Sequence, residues 1–215
     1  APRFVPSCTE SLLRRTVAAA REAGCIIHSH ASENIDEVAL VRRLTGMENV
    51  EYLGSIDMLG PDVVLAHCIH LNDNEVRLLA ETETIVAHCP SSNFKLGSGV
   101  APIPELLDAG VRVTIGSDGA PCNNRMDIFA EMRLAALMQK PRLGAQSLPA
   151  RMVLDFATTN GSNALGTGGG KIARGYRADI IAIDPNRVHS WGGGPPDGAV
   201  VYASNPANVR HVWVE

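Results

Sequence analysis

No apolar run in this sequence approaches the length of a membrane span, and its opening residues do not read as a signal peptide. Lysine and arginine form no stripe, and no basic residues interleave with aromatics, so nucleic acid has no footprint here. The five cysteines, at 8, 25, 68, 89 and 122, are odd in number and scattered, with no Cys-x-x-Cys. That excludes a disulfide framework and a structural zinc knuckle, and it points to a reducing compartment. It also excludes the zinc nucleobase deaminases that rely on a Cys-x-x-Cys pair. No strand-to-helix junction carries Gly-x-Gly-x-x-Gly, which removes a dinucleotide-binding dehydrogenase. The glycine run Gly168-Gly169-Gly170 before Lys171 does not lie between a strand and a helix, so it is not a phosphate loop. These absences make cytoplasmic the default, with neither nucleic acid nor membrane as a partner.

What is present is a chain of 215 residues with 45% apolar content and a formal net charge of -4, enough to bury a core. Strand-like and helix-like runs alternate along most of it. An opening strand spans residues 2–6, and Thr9 caps a helix whose Leu12, Leu13, Val17 and Ala20 share a face up to Gly24. Strands follow at residues 25–30, 62–67, 84–88 and 111–116. Helical spacing recurs between them at Ile35, Val38, Val41 and Leu44, at Val76, Leu79 and Ala80, and around 104–107. Residues between Gly46 and Asp62 read as a loop. Helices are expected over 126–137 and around 152–157. The strands are almost continuously apolar, which implies a parallel sheet covered by helices, open or closed into a barrel. From Gly168 the texture changes to a strand at 178–184, a Gly/Pro loop at 192–198 and two further β-rich runs. The expected division is therefore residues 1–167 and a small all-β segment, 168–215.

Each strand of the alternating part ends in a group able to hold a metal or move a proton. These are His30 with Glu33 after it, then His67, His88 and Asp118. In parallel βα folds the C-terminal strand ends gather on one face, where active sites are built. A neutral imidazole and a carboxylate side by side supply one metal ligand and one proton acceptor. Of His28 and His30, only one is expected to look into the site.

The motifs His28-Ser-His30-Ala-Ser-Glu33-Asn34, Ala66-His67-Cys68, Ala87-His88-Cys89-Pro90-Ser-Ser-Asn93 and Gly116-Ser117-Asp118-Gly119 together resemble the amidohydrolase superfamily. The branch they resemble holds guanine deaminases, S-adenosylhomocysteine/methylthioadenosine deaminases and s-triazine hydrolases, and the likeness runs over essentially the whole chain. It implies a (β/α)8 barrel of which strands four to eight are here, with part of a β-sandwich entered through Gly170-Lys171-Ile172. It implies His30 and Asp118 as ligands of one divalent metal, zinc first and iron second. Glu33 would shuttle protons, His67 would hydrogen-bond substrate or the tetrahedral intermediate, and Asp118 would take a proton from the attacking water. Arg3 and Phe4 resemble the purine-holding pair of guanine deaminases, a guanidinium fork beside a stacking face. His67 and His88 are the other substrate-side candidates, although His88 would alternatively tie down the Pro90 loop. His28 matches a family position without the metal role. His70 falls past its strand end in a loop, and His189 and His211 lie in the sandwich part.

The implied reaction is hydrolytic deamination of an aminated N-heterocycle, guanine or an adenosine derivative, by a homodimeric enzyme. A metal-bound hydroxide would attack the ring carbon and expel ammonia. The segment Gly119-Ala120-Pro121-Cys122-Asn123-Asn124 looks more like the adenosine-derivative deaminases and triazine hydrolases, whereas Arg3 and Phe4 look like guanine deaminases, so the substrate signals point two ways. The alternatives are loss of chloride or an alkylamine from a triazine, and a half-barrel without turnover. The family's His-x-His pair on strand one has no counterpart here, so the expected metal site is half built and the chain reads as a piece of a longer protein.

Overall fold

The computed structural model describes residues 1–190 and 194–215. The chain divides within a strand into two compact units, Ala1–Val113 and Thr114–Glu215.

In the first unit the expected opening strand does not form. Val5–Ser7 makes a 3-10 turn, closed by Ser7 N–H on the Phe4 carbonyl and Cys8 N–H on the Val5 carbonyl, both 3.2 Å. Pro2 and Pro6 have no N–H to give a ladder, which is the physical reason. Helix α1 (Glu10–Glu22) is capped by the Thr9 hydroxyl, which accepts from Leu12 N–H, and it buries Leu13 and Val17. Leu12 remains half exposed. Strand β1 (Ile27–Ala31) leads to α2 (Ile35–Thr45), which opens on a reciprocal Asn34–Glu37 capping box and closes on left-handed Gly46. The expected loop that follows contains a helix instead, α3 (Asn49–Ser55). Seven residues give periodicity too little room to announce itself, yet Val50, Tyr52 and Leu53 are buried.

Strand β2 (Val63–His67) is buried throughout, as its unbroken apolar run requires. Helix α4 (Asp73–Glu81) has a second capping box, Asn72 with Glu75. Strand β3 (Ile85–His88), helices α5 (Pro90–Lys95) and α6 (Ile103–Asp108), and strand β4 (Arg112–Ile115) complete the series. The sheet order is β1-β2-β3-β4. The pairs β1–β2 and β2–β3 are parallel, with Ala31 opposite His67 and Ala66 opposite Ala87. The C-terminal ends of β1, β2 and β3 therefore share one edge. Leu13, Ile27, Leu53, Ile56, Leu65 and Ile85 fill the core of this unit.

The second unit continues from β4 with α7 (Ala120–Asn123), α8 (Ile128–Met138), α9 (Lys140–Leu143) and α10 (Ala150–Asp155). Asp127 caps α8 through Phe129 and Ala130 N–H. Helix α10 runs into a wide π turn at Phe156–Asn160 and then α11 (Gly161–Leu165). The β5 strand (Ile180–Ile183) pairs antiparallel with β6 (Val209–Trp213), with a register shift between Ala182 and Ile183. Between them α12 (Pro196–Gly198) continues as a π turn over Ala199–Ala203. The first expected β-rich run of the tail is therefore helical; the side chains of Val200, Val201 and Tyr202 favour strands, but Val201 is buried in this turn. Of the expected loop 192–198, Gly192 and Gly193 lie outside the described residues. Among the described residues no helix is long and apolar enough to cross a membrane.

Candidate active site

The edge formed by the ends of β1, β2 and β3 is where polar side chains enter an otherwise apolar sheet. His28 and His30 lie two residues apart on β1, so they share a face, with ring centroids 5.9 Å apart. Ile27, Ser29 and Ala31 take the other, buried face. The expectation that only one of the two histidines can look into a site fails on this two-residue period.

His30 is fixed twice by one backbone carbonyl. Arg3 C=O accepts from the His30 amide at 3.0 Å and from its ring Nδ1 at 2.6 Å. A carbonyl has no proton to give, so Nδ1 carries the hydrogen and Nε2 keeps its lone pair. A carbonyl behind the imidazole is the usual way a ligand histidine has its tautomer and ring direction set. His30 thus fits a metal on its own chemistry. Cys68, next to His67, is wholly buried, and burial pushes its thiol up. Among the described residues no group of three or more His, Cys, Asp and Glu side chains makes a metal centre.

The His67 ring stacks on His30, centroids 5.4 Å apart and planes 23° from parallel. Strand alternation alone would send it to the face of Ala31, its register partner. Its φ of 73° turns the Cα–Cβ bond away from that direction, and Cys68 follows at φ 48°. Such angles are uncommon outside glycine and cost of order 1–3 kcal/mol each. They recur at strand ends: Ser32 after β1 has φ 53°, and Asp118 after β4 has φ 60°. His67 is 1% exposed; its Nδ1 donates to Asn93 Oδ1 at 2.8 Å, and its Nε2 lies 3.6 Å from Glu33 Oε2. Ser98 Oγ donates to the other Glu33 oxygen at 3.3 Å.

The turn carrying Glu33 is held from beneath by a carboxylate that sequence reasoning passed over. Glu37 is buried and accepts from Ser32 N–H (3.2 Å), Glu33 N–H (2.8 Å), Asn34 N–H (3.4 Å) and the Asn49 amide. Its only signal in the sequence is the Asn34-x-x-Glu37 spacing of a capping box.

His88 follows Ala87 at the end of β3 and is fully buried, with no hydrogen-bond partner on either ring nitrogen among the described residues. Among the described residues its ring makes no hydrogen bond to the Pro90 loop. Burial and the neighbouring His67 push its pKa down to about 3, so it is a neutral imidazole. His70 is half-buried in its loop and donates Nε2–H to the Ser98 carbonyl at 2.8 Å. At the opening turn, exposed Arg3 places its guanidinium 5.1 Å from the Phe4 ring centroid. His189 and His211 are exposed, the latter with its ring 5.5 Å from Trp213.

Asp118 belongs to the second unit, three residues past β4. Its Oδ1 accepts from Gly119 N–H at 2.5 Å. The turn after it is anchored from within the same unit: Asn123 Nδ2 donates to the Ser117 carbonyl and to Glu131, at 2.7 and 2.8 Å. Glu131 is wholly buried. The arrangement repeats the device under Glu33, a buried carboxylate paired with an asparagine stiffening a strand-end turn.

The amidohydrolase family model matches residues 1–215. The 5'-deoxyadenosine deaminase of Methanothermobacter thermautotrophicus is 45% identical over 212 residues, covering 98% of this chain and 50% of that protein. A crystal structure of an adenosine deaminase from Xanthomonas campestris with bound zinc has a TM-score of 0.92 at 30% identity, over 97% of this chain and 48% of that one. A guanine deaminase from C. acetobutylicum with bound guanine has a TM-score of 0.85 at 26% identity, over 100% of this chain and 53% of that one. The chain thus spans about half the length of the curated relatives it matches. A parallel sheet that carries His30, His67 and His88 at or beside its C-terminal strand ends, and a family match from the first residue to the last, lead to one conclusion: this chain belongs to the amidohydrolase family.

Proposed function

We propose that this chain is the C-terminal half of a metal-dependent hydrolase that deaminates an aminated N-heterocycle, with adenosine derivatives ahead of guanine. In this reading β1 to β4 are strands five to eight of a (β/α)8 barrel, and residues 168–215 belong to a small β-sandwich. The observation that carries it is the His30 ring, held with Nδ1–H on the Arg3 carbonyl and Nε2 bare, beside the His67–Glu33 pair. The zinc-bearing adenosine deaminase relative supports zinc as the metal and adenosine-like compounds as the substrate class.

His30 and Asp118 would hold the metal, which supplies Lewis acidity and lowers the pKa of a water. The chain's own residues do the rest. Glu33 accepts a proton and returns it to the departing amine, as a carboxylate within reach of both can. His67, with Nε2 directed at Glu33, accepts a hydrogen bond there or, once protonated at Nε2, donates one to substrate or the tetrahedral intermediate. Arg3, Phe4 and His88 are the candidates for holding the heterocycle. The buried imidazole of His88 supplies a neutral donor and acceptor with no ionic charge.

Ammonia release from 5'-deoxyadenosine, adenosine and guanine by the full-length protein of which this chain would be the C-terminal half, with metal content per chain measured in parallel, tests the reading. Adenosine derivatives are expected to turn over faster than guanine. Glu33→Gln is expected to lower kcat about 10²–10⁴-fold with metal retained, whereas His30→Ala loses the metal. Full metal content in His30→Ala, or unchanged turnover in Glu33→Gln, would overturn the assignment.

A further inference from the structure

The two groups that handle protons are both braced by one short segment, the α5 helix and the turn after it. Asn93 is wholly buried, and its Oδ1 accepts from His67 Nδ1 at 2.8 Å. Ser98, 5% exposed, donates Oγ–H to Glu33 Oε1 at 3.3 Å. The two braces are joined to each other, because Ser98 N–H donates to the Asn93 carbonyl at 2.8 Å. The far side of the segment is pinned by His70 Nε2–H on the Ser98 carbonyl. Gly99 beside it has φ 130°, and a Cβ there would lie 3.0 Å from Ile69 Cγ2, so the chain passes too close for a side chain.

We propose that Asn93–Ser98 is a positioning element: Asn93 holds His67 with its proton on Nδ1, and Ser98 aims Glu33 at the other ring nitrogen. The argument is one of tautomer. An imidazole with Nδ1–H on an amide oxygen presents Nε2 as its exchanging atom, and Nε2 is the atom 3.6 Å from Glu33 Oε2. With Nδ1 unpaired, the neutral ring would be free to carry its hydrogen on Nε2, and the two orientations would compete. A serine hydroxyl on the outer carboxylate oxygen leaves the inner oxygen as the one facing the ring. Neither residue touches the reacting atoms, so each acts through its partner.

The tautomer arm of this proposal is independent of the deaminase reading, and the kinetic arm rests on it. The ring nitrogen shifts of ¹⁵N-histidine-labelled protein report where the His67 proton sits. Wild type and Asn93→Asp, which keeps an acceptor, are expected to show Nδ1–H. Asn93→Leu is expected to shift the ring toward Nε2–H. A bare Nδ1 in wild type, or an unchanged tautomer in folded Asn93→Leu, would overturn the proposal. If Asn93→Leu does not fold, a slowly exchanging Nδ1 proton in wild type supports it and a rapidly exchanging one overturns it. In turnover, Ser98→Ala is expected to lower kcat about tenfold with KM within twofold, and Ser98→Thr to restore it. An equal loss in Ser98→Thr and Ser98→Ala would assign Ser98 to packing alone. Absence of turnover in the metal-loaded, full-length wild-type protein would overturn the deaminase reading and leave the tautomer result to decide this one.

Discussion

A buried neutral histidine makes stability depend on pH, and His88 is one, with no hydrogen-bond partner on its ring among the described residues. Its folded pKa of about 3 lies below the ordinary value of 6.5 because burial disfavours the charged ring. The sign follows from proton binding. Between those two values the unfolded chain takes up a proton that the folded one does not, so stability is complete above about 6.5 and is lost as pH falls toward 3. The full difference is of order 4–5 kcal/mol at one fully buried site. His88→Phe keeps a planar ring and removes the proton. Urea melts from pH 7 to pH 4 are expected to show a shallower loss of stability in His88→Phe than in wild type. Parallel curves would show that the ring is hydrated and titrates normally. Residues of this kind were legible in sequence because each closes an apolar run: His30, His67 and His88 stand where a strand must end. Asn93 and Ser98 were not legible as braces, since a polar residue in a loop reads as solvated until the fold shows what it touches.

At the scale of an element, the turn between β1 and α2 shows how a local signal and a distant one combine. The Asn34-to-Glu37 capping box predicts the start of α2, and the helix begins there. The capping box does not predict that the Glu37 carboxylate gathers three successive backbone N–H groups of residues 32–34 while accepting from Asn49 on α3. That second partner depends on a helix too short for periodicity to reveal. The cluster also keeps Ser32 at φ 53° and so fixes where Glu33 points. Glu37→Ala leaves buried donors unmatched and is expected to cost roughly 3–5 kcal/mol in chemical denaturation. Glu37→Gln keeps one acceptor oxygen and is expected to cost less than half of that. Equal losses in the two variants would mean that the volume of the side chain, and not its oxygens, supports the turn.

At the scale of the whole molecule, the two units differ in how their sheets are supported. Strand alternation with helices was readable along the chain because buried parallel strands are apolar end to end, and β2 is buried at all five positions. It is also hydrogen-bonded on both sides, to β1 and to β3. The tail's β-rich sequence predicts an all-β segment, but among its described residues the paired strands are β5 and β6, and the segment between them is partly helical. A two-stranded sheet is marginal by itself in water. Ile181 is 47% exposed, Val212 62% and Trp213 51%, so little apolar burial holds this pair closed. Strands that open separately exchange their amide hydrogens through local motion, and those that open only with the core exchange through global unfolding. Hydrogen exchange followed by mass spectrometry is therefore expected to find peptides of β2 protected at least about 100-fold longer than peptides of β5 and β6. Equal protection would mean that the β5–β6 pair opens only together with the core, and its exposed valines would then be no guide to its stability.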